Sequence, residues 1–229
     1  MLILFDIDAT LISTSGIGIG AMLNAGRDLF GPDFTGDGVP FAGRLDPLII
    51  RDLLLANGRA HTADHIAAMK LGYARHLARA LETPGIGRAL PGVLDLLAHL
   101  RAQPRFHLGL LTGNFEATGA HKLRACGVEP DWFPIRVWGD ESPHEPPARA
   151  HLPPVAMSRH AARTGSAIDP SRVVIIGDTP HDVECARANG CRCLGVATGS
   201  FSVEALRNAG ADMALPNLAD LAAVRAFLG

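Results

Sequence analysis

The chain has 229 residues, a length that fits one large domain or a domain that carries a smaller inserted one. Apolar residues make up 48% of it and charged residues 19%, which is typical of a globular protein with a sizeable core. The net charge of −2 leaves no overall field that would attract nucleic acid or an anionic membrane surface, so the sequence disfavours both as partners.

Five short apolar segments predict the strands of a parallel sheet, because continuous apolar runs suit strands that are covered on both faces. They occupy residues 2–5, 106–111, 135–138, 173–176 and 193–197. Amphipathic helical patterns lie at residues 92–102, 116–126, 152–164, 181–189 and 203–209, with a last one after residue 218. This alternation predicts a doubly wound, Rossmann-like α/β sheet.

The stretch between the first two strands follows a different pattern, which is helical throughout. Helices are predicted at residues 19–30, 47–57 and 63–81, with Asp46 as the N-cap of the second. The run GIGIG at residues 16–20 matches no nucleotide-binding loop and predicts a flexible hinge instead. The sequence therefore predicts an α/β core formed by residues 1–13 and 90–229, and an all-helical cap formed by residues 14–89.

The cysteines and the start of the chain bear on location. The four cysteines lack paired CxxC spacing, so buried free thiols are predicted rather than a zinc site. No run approaches the roughly 20 apolar residues of a membrane-spanning helix. No basic leader or cleavage site precedes the first strand, so a cytoplasmic protein is expected.

Carboxylates and hydroxyls follow three of the predicted strands. Asp6 and Asp8 follow the first, Thr112 follows the second, and Asp178 and Asp182 follow the strand at residues 173–176. In open parallel sheets, ligands bind beyond the carboxyl ends of the strands. Carboxylates gathered there would repel one another, and a hard cation such as Mg²⁺, which binds carboxylate and carbonyl oxygens, would relieve that repulsion.

The segments FDIDATL, LLTGN and VIIGDTPHD, in this order, resemble motifs one, two and four of the haloacid dehalogenase-like hydrolase superfamily. The stretches FAGRLD and LPGVLDLLAHL are similar to phosphoglycolate-phosphatase-type members. The resemblance covers nearly the whole chain and implies a Mg²⁺-dependent phosphatase with a helical cap.

The resemblance also implies a role for each motif residue. Asp6 would be the nucleophile that forms an aspartyl phosphate, and Asp8 would be the general acid and base. The phosphate-binding groups would be Thr112, Gly113 and Asn114. The metal ligands would be Asp6, the main-chain carbonyl of Asp8 and Asp178, with Asp182 in support.

Four further residues carry predictions. The region of the third motif lacks the lysine most relatives carry, and Arg149 is the expected cation there, because guanidinium binds phosphate and keeps its charge. Lys122 is expected to lie mid-helix and face solvent. Arg44, in the cap loop, is a candidate for contact with the substrate. Ala9 replaces the glycine of the commoner DxDGT form and is expected at negative φ.

The preferred function is hydrolysis of a small phosphate monoester, with a phosphoglycolate-like compound as one possible substrate. A small phosphorylated metabolite is then the partner. A phosphomutase of the β-phosphoglucomutase kind shares the same motifs. A 2-haloacid dehalogenase is a further alternative, but it needs neither a second Asp nor a metal, so Asp8 and Asp178 count against it. A non-catalytic phospho-aspartate signalling module is the last alternative, and it would be shorter and without a helical cap.

Overall fold

The computed structural model describes residues 1–229 and contains eight strands. They are β1 (Leu2–Phe5), β2 (Ile12–Ser13), β3 (Arg88–Ala89), β4 (His107–Leu111), β5 (Ile135–Val137), β6 (Val173–Gly177), β7 (Arg192–Val196) and β8 (Met213–Leu215). Six of these form one sheet in the order β5-β4-β1-β6-β7-β8. Every neighbouring pair in that sheet is parallel, which confirms the predicted fold class.

Nine α-helices accompany the strands. They are α1 (Ile17–Phe30), α2 (Asp46–Ala56), α3 (Ala63–Leu81), α4 (Val93–Arg101), α5 (Glu116–Ala125), α6 (Leu152–Thr164), α7 (Pro180–Ala188), α8 (Val203–Ala209) and α9 (Leu221–Leu228). Each corresponds to a predicted helix, with ends that differ by at most three residues. Short 3₁₀ turns lie at Pro130–Trp132, Arg149–His151 and Pro170–Arg172.

The central strand β1 is buried on both faces, which explains its uninterrupted apolar sequence. Ile3 and Phe5 point into a cluster with side chains from α4, α5 and α9. Leu2 and Leu4 point into a second cluster with side chains from α6, α7 and α8. Successive side chains alternate between the faces of a strand, so this four-residue strand joins both helical layers.

The three helices α1, α2 and α3 lie between β1 and β4 and have their own buried cluster. Strands β2 and β3 pair antiparallel where the chain enters and leaves this helical insertion. The predicted boundaries, after residue 13 and before residue 90, fall beside this two-stranded ribbon. One residue from outside the insertion, Phe115, joins its cluster and is only 2% exposed.

Two local features differ from the predictions. The GIGIG run, predicted as a flexible hinge, forms the start of α1: Gly16 is the N-cap with φ 78°, and the next four residues are helical. Asp46 is the first residue of α2, and Leu45 is its N-cap. The Asp46 carboxylate accepts a hydrogen bond from Phe115 N–H at the start of α5 instead, at 3.0 Å. The carboxylate thus accepts from a residue distant in the sequence, and not from an N–H of its own helix as an N-cap would.

No helix of the protein is both long and apolar enough to span a membrane. The four cysteines are free and buried, as predicted.

Candidate active site

The polar residues that follow β1, β4 and β6 lie together, because these three strands are adjacent in the sheet. Asp6 comes directly after β1, Thr112 directly after β4 and Asp178 directly after β6. All three are less than 10% exposed. The sheet topology therefore brings together residues that are far apart in the sequence.

Three carboxylates form a compact acidic cluster. One oxygen each of Asp6, Asp178 and Asp182 lies within 4.8 Å of the others. Burial, together with the smaller effect of the neighbouring carboxylates Asp6 and Asp182, raises the pKa of Asp178 to about 8. Burial likewise raises the pKa of Asp6 to about 6, against the opposing effect of the Arg149 guanidinium. The cluster holds more negative charge than its single cation offsets, so these residues fit a divalent metal ion.

Arg149, the residue expected to supply the third-motif cation, contacts two members of the acidic cluster. Its Nη2 is 3.1 Å from Asp6 Oδ1 and 2.5 Å from Asp182 Oδ1, and the residue is 8% exposed. Burial alone would lower the pKa of Arg149, but the two carboxylates raise it above its usual value. Its Nη1 also donates to the Gly43 carbonyl of the helical insertion, at 3.3 Å. The guanidinium therefore links the acidic cluster to the loop above it.

Asp182 has little capacity left for a metal. Its Oδ1 accepts from Arg149, and its Oδ2 accepts from the N–H and the hydroxyl of Thr179, at 3.0 and 2.8 Å. Asp178 is less engaged, with one contact of 3.5 Å from the Thr10 hydroxyl. Asp182 therefore orients its neighbours through hydrogen bonds, whereas Asp178 is still free to bind an ion.

Asp8 belongs to a second polar network, formed with Asn114 and Lys122. Its Oδ2 accepts from Asn114 Nδ2 at 2.9 Å and from Lys122 Nζ at 2.8 Å. Asn114 also donates to Thr112 Oγ1, at 2.8 Å. These contacts bring the ends of β1 and β4 together through side chains.

Lys122 is buried, so the prediction that it faces solvent is wrong. The residue is 4% exposed, because α5 packs closely with small residues on its inner side; Gly119 lies against Trp138 and Asn114. Burial is possible for the ammonium because Asp8 and Asn114 accept its hydrogen bonds. The small residues of EATGAHKLRA are the sequence signal that could have indicated a helix buried on a wide face.

Ala9 has φ 55°, so the prediction of negative φ is wrong. The residues after β1 form a tight turn in which Leu11 N–H and Ile12 N–H both donate to the Ile7 carbonyl. Ala9 N–H donates to the Ile12 carbonyl across that turn, at 2.8 Å. This closure requires the left-handed backbone that glycine adopts most easily.

Arg44 lines the cavity above the acidic cluster, but its guanidinium is already engaged. Its Nη2 pairs with Asp52 at 2.7 Å, and Arg51 pairs with the same carboxylate at 2.9 Å. The carbonyl of Arg44 lies directly over Gly113, where any β-carbon would overlap it. The loop that contains Arg44 therefore rests on the predicted phosphate-binding segment.

The cavity has a volume of about 380 Å³ and opens above Asp6. Its walls come from the sheet edge and from the helical insertion. They include Asp8, Gly113, Arg149, Arg44, Ile49 and Tyr73. A space of this size, with acidic and basic groups at one end, suits a small polar molecule.

Comparison with known proteins places the chain in a family. The profile of the haloacid dehalogenase-like hydrolases matches residues 3–187, and the chain belongs to this family. It is 26% identical over 223 residues to the protein from Yersinia pestis named phosphoglycolate phosphatase, a match covering 95% of this chain and 89% of that protein. Within the family, its similarity is thus to the phosphoglycolate-phosphatase type.

Two solved structures share the fold over almost the whole chain. A hydrolase from Pseudomonas syringae is 19% identical, with a TM-score of 0.72 and complete coverage of both chains. CbbY from Rhodobacter sphaeroides, solved with xylulose-1,5-bisphosphate, is 20% identical with a TM-score of 0.75, covering 96% of this chain and 95% of that one. These two likenesses support the α/β fold of the chain.

Proposed function

We propose that the protein is a Mg²⁺-dependent phosphatase that hydrolyses a small phosphate monoester through an aspartyl phosphate on Asp6. The observation that supports this most directly is the position of Asp6. Its carboxylate lies at the floor of the cavity, 3.1 Å from the Arg149 guanidinium and within the acidic cluster. A nucleophilic carboxylate needs a phosphate held beside it, and the Arg149 guanidinium, with a metal ion held by the carboxylates, would hold one there.

The proposed metal ligands are Asp6, Asp178 and the main-chain carbonyl of Asp8. Asp182 would support them through Arg149 and Thr179, since its own oxygens already accept hydrogen bonds. When bound, Mg²⁺ supplies charge compensation between the phosphate dianion and the attacking carboxylate.

The remaining groups would bind and orient the phosphate. The Thr112 hydroxyl and the N–H groups of Gly113 and Asn114 would donate to phosphate oxygens, and Arg149 would add a charged contact. Asp6 would attack phosphorus in line with the leaving oxygen. Asp8 would protonate that oxygen, and would later take a proton from the water that hydrolyses the aspartyl phosphate.

The helical insertion is proposed to be a cap, with residues 14–89 closing over a core of residues 1–13 and 90–229. Its loop contacts the core at Gly113 and through Arg149, so movement of the insertion would open the cavity. Arg44 would contact the part of the substrate remote from the phosphate once it is released from Asp52.

The substrate proposed for the first test is 2-phosphoglycolate, which is suggested by the name of the Yersinia pestis relative. Its carboxylate would suit Arg44, and it fits a cavity of about 380 Å³. The proposed location is the cytoplasm, which the four free cysteines support.

The test measures phosphate release from p-nitrophenyl phosphate and 2-phosphoglycolate, with Mg²⁺ and with EDTA. We expect Mg²⁺-dependent turnover that Asp6→Asn reduces by at least about 10³-fold, since it removes the nucleophile. Asp33→Asn, at an exposed position, is the matched control and should retain wild-type turnover.

Three results would contradict the proposal. Full activity in Asp6→Asn would exclude the nucleophile. Halide release from a 2-haloacid in EDTA would favour a dehalogenase. Isomerisation of a sugar phosphate without phosphate release would favour a mutase.

A further inference from the structure

Lys122 is a buried cation that the proposed reaction does not use. It lies in the middle of α5, and its side chain is 5% exposed. Its Nζ donates to Asp8 Oδ2 at 2.8 Å and to Asn114 Oδ1 at 2.7 Å. Burying an ammonium is costly unless it is paired, and these two hydrogen bonds offset the cost of burying Lys122.

The surroundings of Lys122 keep it charged. Burial by itself would lower the pKa of Lys122, but Asp8, Tyr73 and Asp46 raise it above its usual value. The ammonium therefore faces Asp8 as a cation, with Asn114 on the same carboxylate oxygen.

The two oxygens of Asp8 are in different environments. Oδ2 accepts both the Lys122 and the Asn114 hydrogen bonds, whereas no hydrogen bond within the protein reaches Oδ1. The Asp8 side chain is 42% exposed and lines the cavity. One oxygen is thus anchored to the protein, and the other is available to a molecule in the cavity.

We propose that Lys122 is a positioning residue that fixes Asp8 Oδ2 and thereby presents Oδ1 to the leaving oxygen of the substrate. The proposal rests on the proposed phosphatase function and on its assignment of proton transfer to Asp8. It adds a residue that lines the cavity and acts on the reaction through its hydrogen bond to Asp8.

The proton transfer follows from the bonds that change. An oxygen of Asp6 forms a bond to phosphorus while the ester P–O bond breaks, and its electron pair goes to the leaving oxygen. Asp8 donates the proton that this oxygen needs if the product is an alkyl alcohol. In the second step Asp8 takes a proton from water, the new O–P bond forms, and the P–O bond to Asp6 breaks to restore the carboxylate.

This chemistry gives the positioning role a signature that depends on the leaving group. An alkoxide is strongly basic and leaves only with a proton, whereas p-nitrophenolate is a weak base and leaves without one. Misplacing Asp8 should therefore slow the first step for an alkyl ester and hardly affect it for p-nitrophenyl phosphate. A merely structural role for Lys122 would slow both esters alike.

The glycines of the GIGIG run provide an independent perturbation. A β-carbon at Gly18 would lie 3.2 Å from Lys122 Nζ and 3.5 Å from the Tyr73 hydroxyl. A β-carbon at Gly20, one half-turn further along α1, would meet nothing within 4 Å. Both positions are helical, where alanine is the better helix former. Gly18→Ala and Gly20→Ala are therefore a pair that differ in crowding at Lys122. Because Gly18 also lines the cavity, only a loss selective for the alkyl ester counts as an effect through Lys122.

The experiment measures first-turnover release of alcohol or phenol, with enzyme in excess and Mg²⁺ present. The esters are p-nitrophenyl phosphate and an alkyl ester, either 2-phosphoglycolate or glycerol 3-phosphate, whichever the wild type hydrolyses faster. Lys122→Met should lower the alkyl rate by about 10²-fold, the typical contribution of a positioned acid, and the p-nitrophenyl rate by less than about threefold. The enzyme concentration that half-saturates the first-turnover rate should change little for either ester.

Arg124→Met is the control for loss of a cation from α5, because Arg124 lies on the same helix and is exposed. It should leave both rates unchanged. Thermal unfolding of each variant reports whether it is folded. Should Lys122→Met not fold, the glycine pair decides: Gly18→Ala must slow the alkyl ester selectively, and Gly20→Ala must not.

Equal losses on the two esters in folded Lys122→Met, or no loss on either, would overturn the positioning role. A selective loss in Gly20→Ala as large as in Gly18→Ala would do the same. Wild-type protein that hydrolyses no phosphate ester would instead overturn the proposed function, so the two failures are distinguishable.

Discussion

Asp46 is a carboxylate buried where the helical insertion meets the core. It is 6% exposed and bonds to the segment after β4 at two points: its N–H donates to the Gly113 carbonyl at 2.7 Å, and its carboxylate accepts from Phe115 N–H. Burial raises the pKa of Asp46 to about 7, although Lys122 and the Phe115 N–H oppose that effect. The folded protein therefore retains a proton there that the unfolded chain releases near pH 4.

The stability of the protein should consequently depend on pH through Asp46. Below pH 4 the group is protonated in both states. Stability is lost as pH rises from about 4 to about 7, because the unfolded chain gains free energy by releasing a proton that the folded state retains. Asparagine cannot ionise, and its amide oxygen can still accept from Phe115. The unfolding free energy of Asp46→Asn minus that of wild type should therefore be roughly 2–3 kcal/mol larger at pH 8 than at pH 5.

Urea unfolding at the two pH values measures this difference, with Asp33→Asn as the control for loss of a surface carboxylate. A difference between Asp46→Asn and wild type that is constant with pH would show that Asp46 ionises normally in the folded protein.

Ala9 provides a second prediction at the residue scale. Its φ of 55° places an L-residue in the left-handed region, at a cost of about 1–2 kcal/mol. Glycine would remove that cost but would lose more conformational entropy on folding, by about 0.4–1 kcal/mol. We expect Ala9→Gly to raise the unfolding free energy by roughly 0.5–1 kcal/mol, measured by urea unfolding. A destabilised Ala9→Gly variant would mean that the alanine methyl makes contacts worth more than the strain.

At the scale of elements, Phe115 couples α5 to the helical insertion. It precedes the first residue of α5, yet its ring packs in the cluster formed by α1, α2 and α3. Lys70 of α3 lies over that ring, 4.2 Å from its centre, and also reaches Asp140 of the core. The segment after β4 therefore carries both the proposed phosphate-binding groups and the main side-chain anchor of the insertion.

Removal of this anchor should loosen the insertion selectively. Phe115→Ala should cost about 3–5 kcal/mol of stability, as for other large-to-small changes in a core. Hydrogen exchange should speed up in α1, α2 and α3 before it does in the sheet. Phe133→Ala is the matched control, because Phe133 is fully buried in the cluster on the sheet. Uniform acceleration in both variants would indicate that insertion and core unfold as one unit.

The elements were largely predictable from sequence, because apolar runs and amphipathic patterns arise from burial against the sheet. β8 was missed, since Met213–Leu215 is three residues long and two of the three are half-buried. The ribbon of β2 and β3 was missed for a similar reason: two residues a strand give no periodicity. The network of Lys122 and the contact of Asp46 with Phe115 depend on packing between elements, which single-sequence patterns do not encode.

At the scale of the whole molecule, the acidic cluster joins charge from distant parts of the chain. Asp6 follows the first strand, and Asp178 and Asp182 follow the sixth, so only the folded sheet brings their oxygens within 4.8 Å. One guanidinium, that of Arg149, faces both Asp6 and Asp182. Without a metal, folding therefore brings these carboxylates close enough to repel one another, whereas in the unfolded chain they are far apart.

A divalent cation should accordingly stabilise the folded state, independently of any substrate. Binding to the folded state alone adds about 2.7 kcal/mol at a concentration 100 times the Kd, which is roughly 5–10 °C in the unfolding temperature of a protein of this size. Asp178→Asn should abolish most of this increase, because it removes the cluster carboxylate with the fewest other hydrogen bonds. Asp33→Asn should keep it, and NaCl of matched ionic strength separates specific binding from screening. An increase of the same size with NaCl, or in Asp178→Asn, would contradict a metal site at this cluster while leaving the fold and its family untouched.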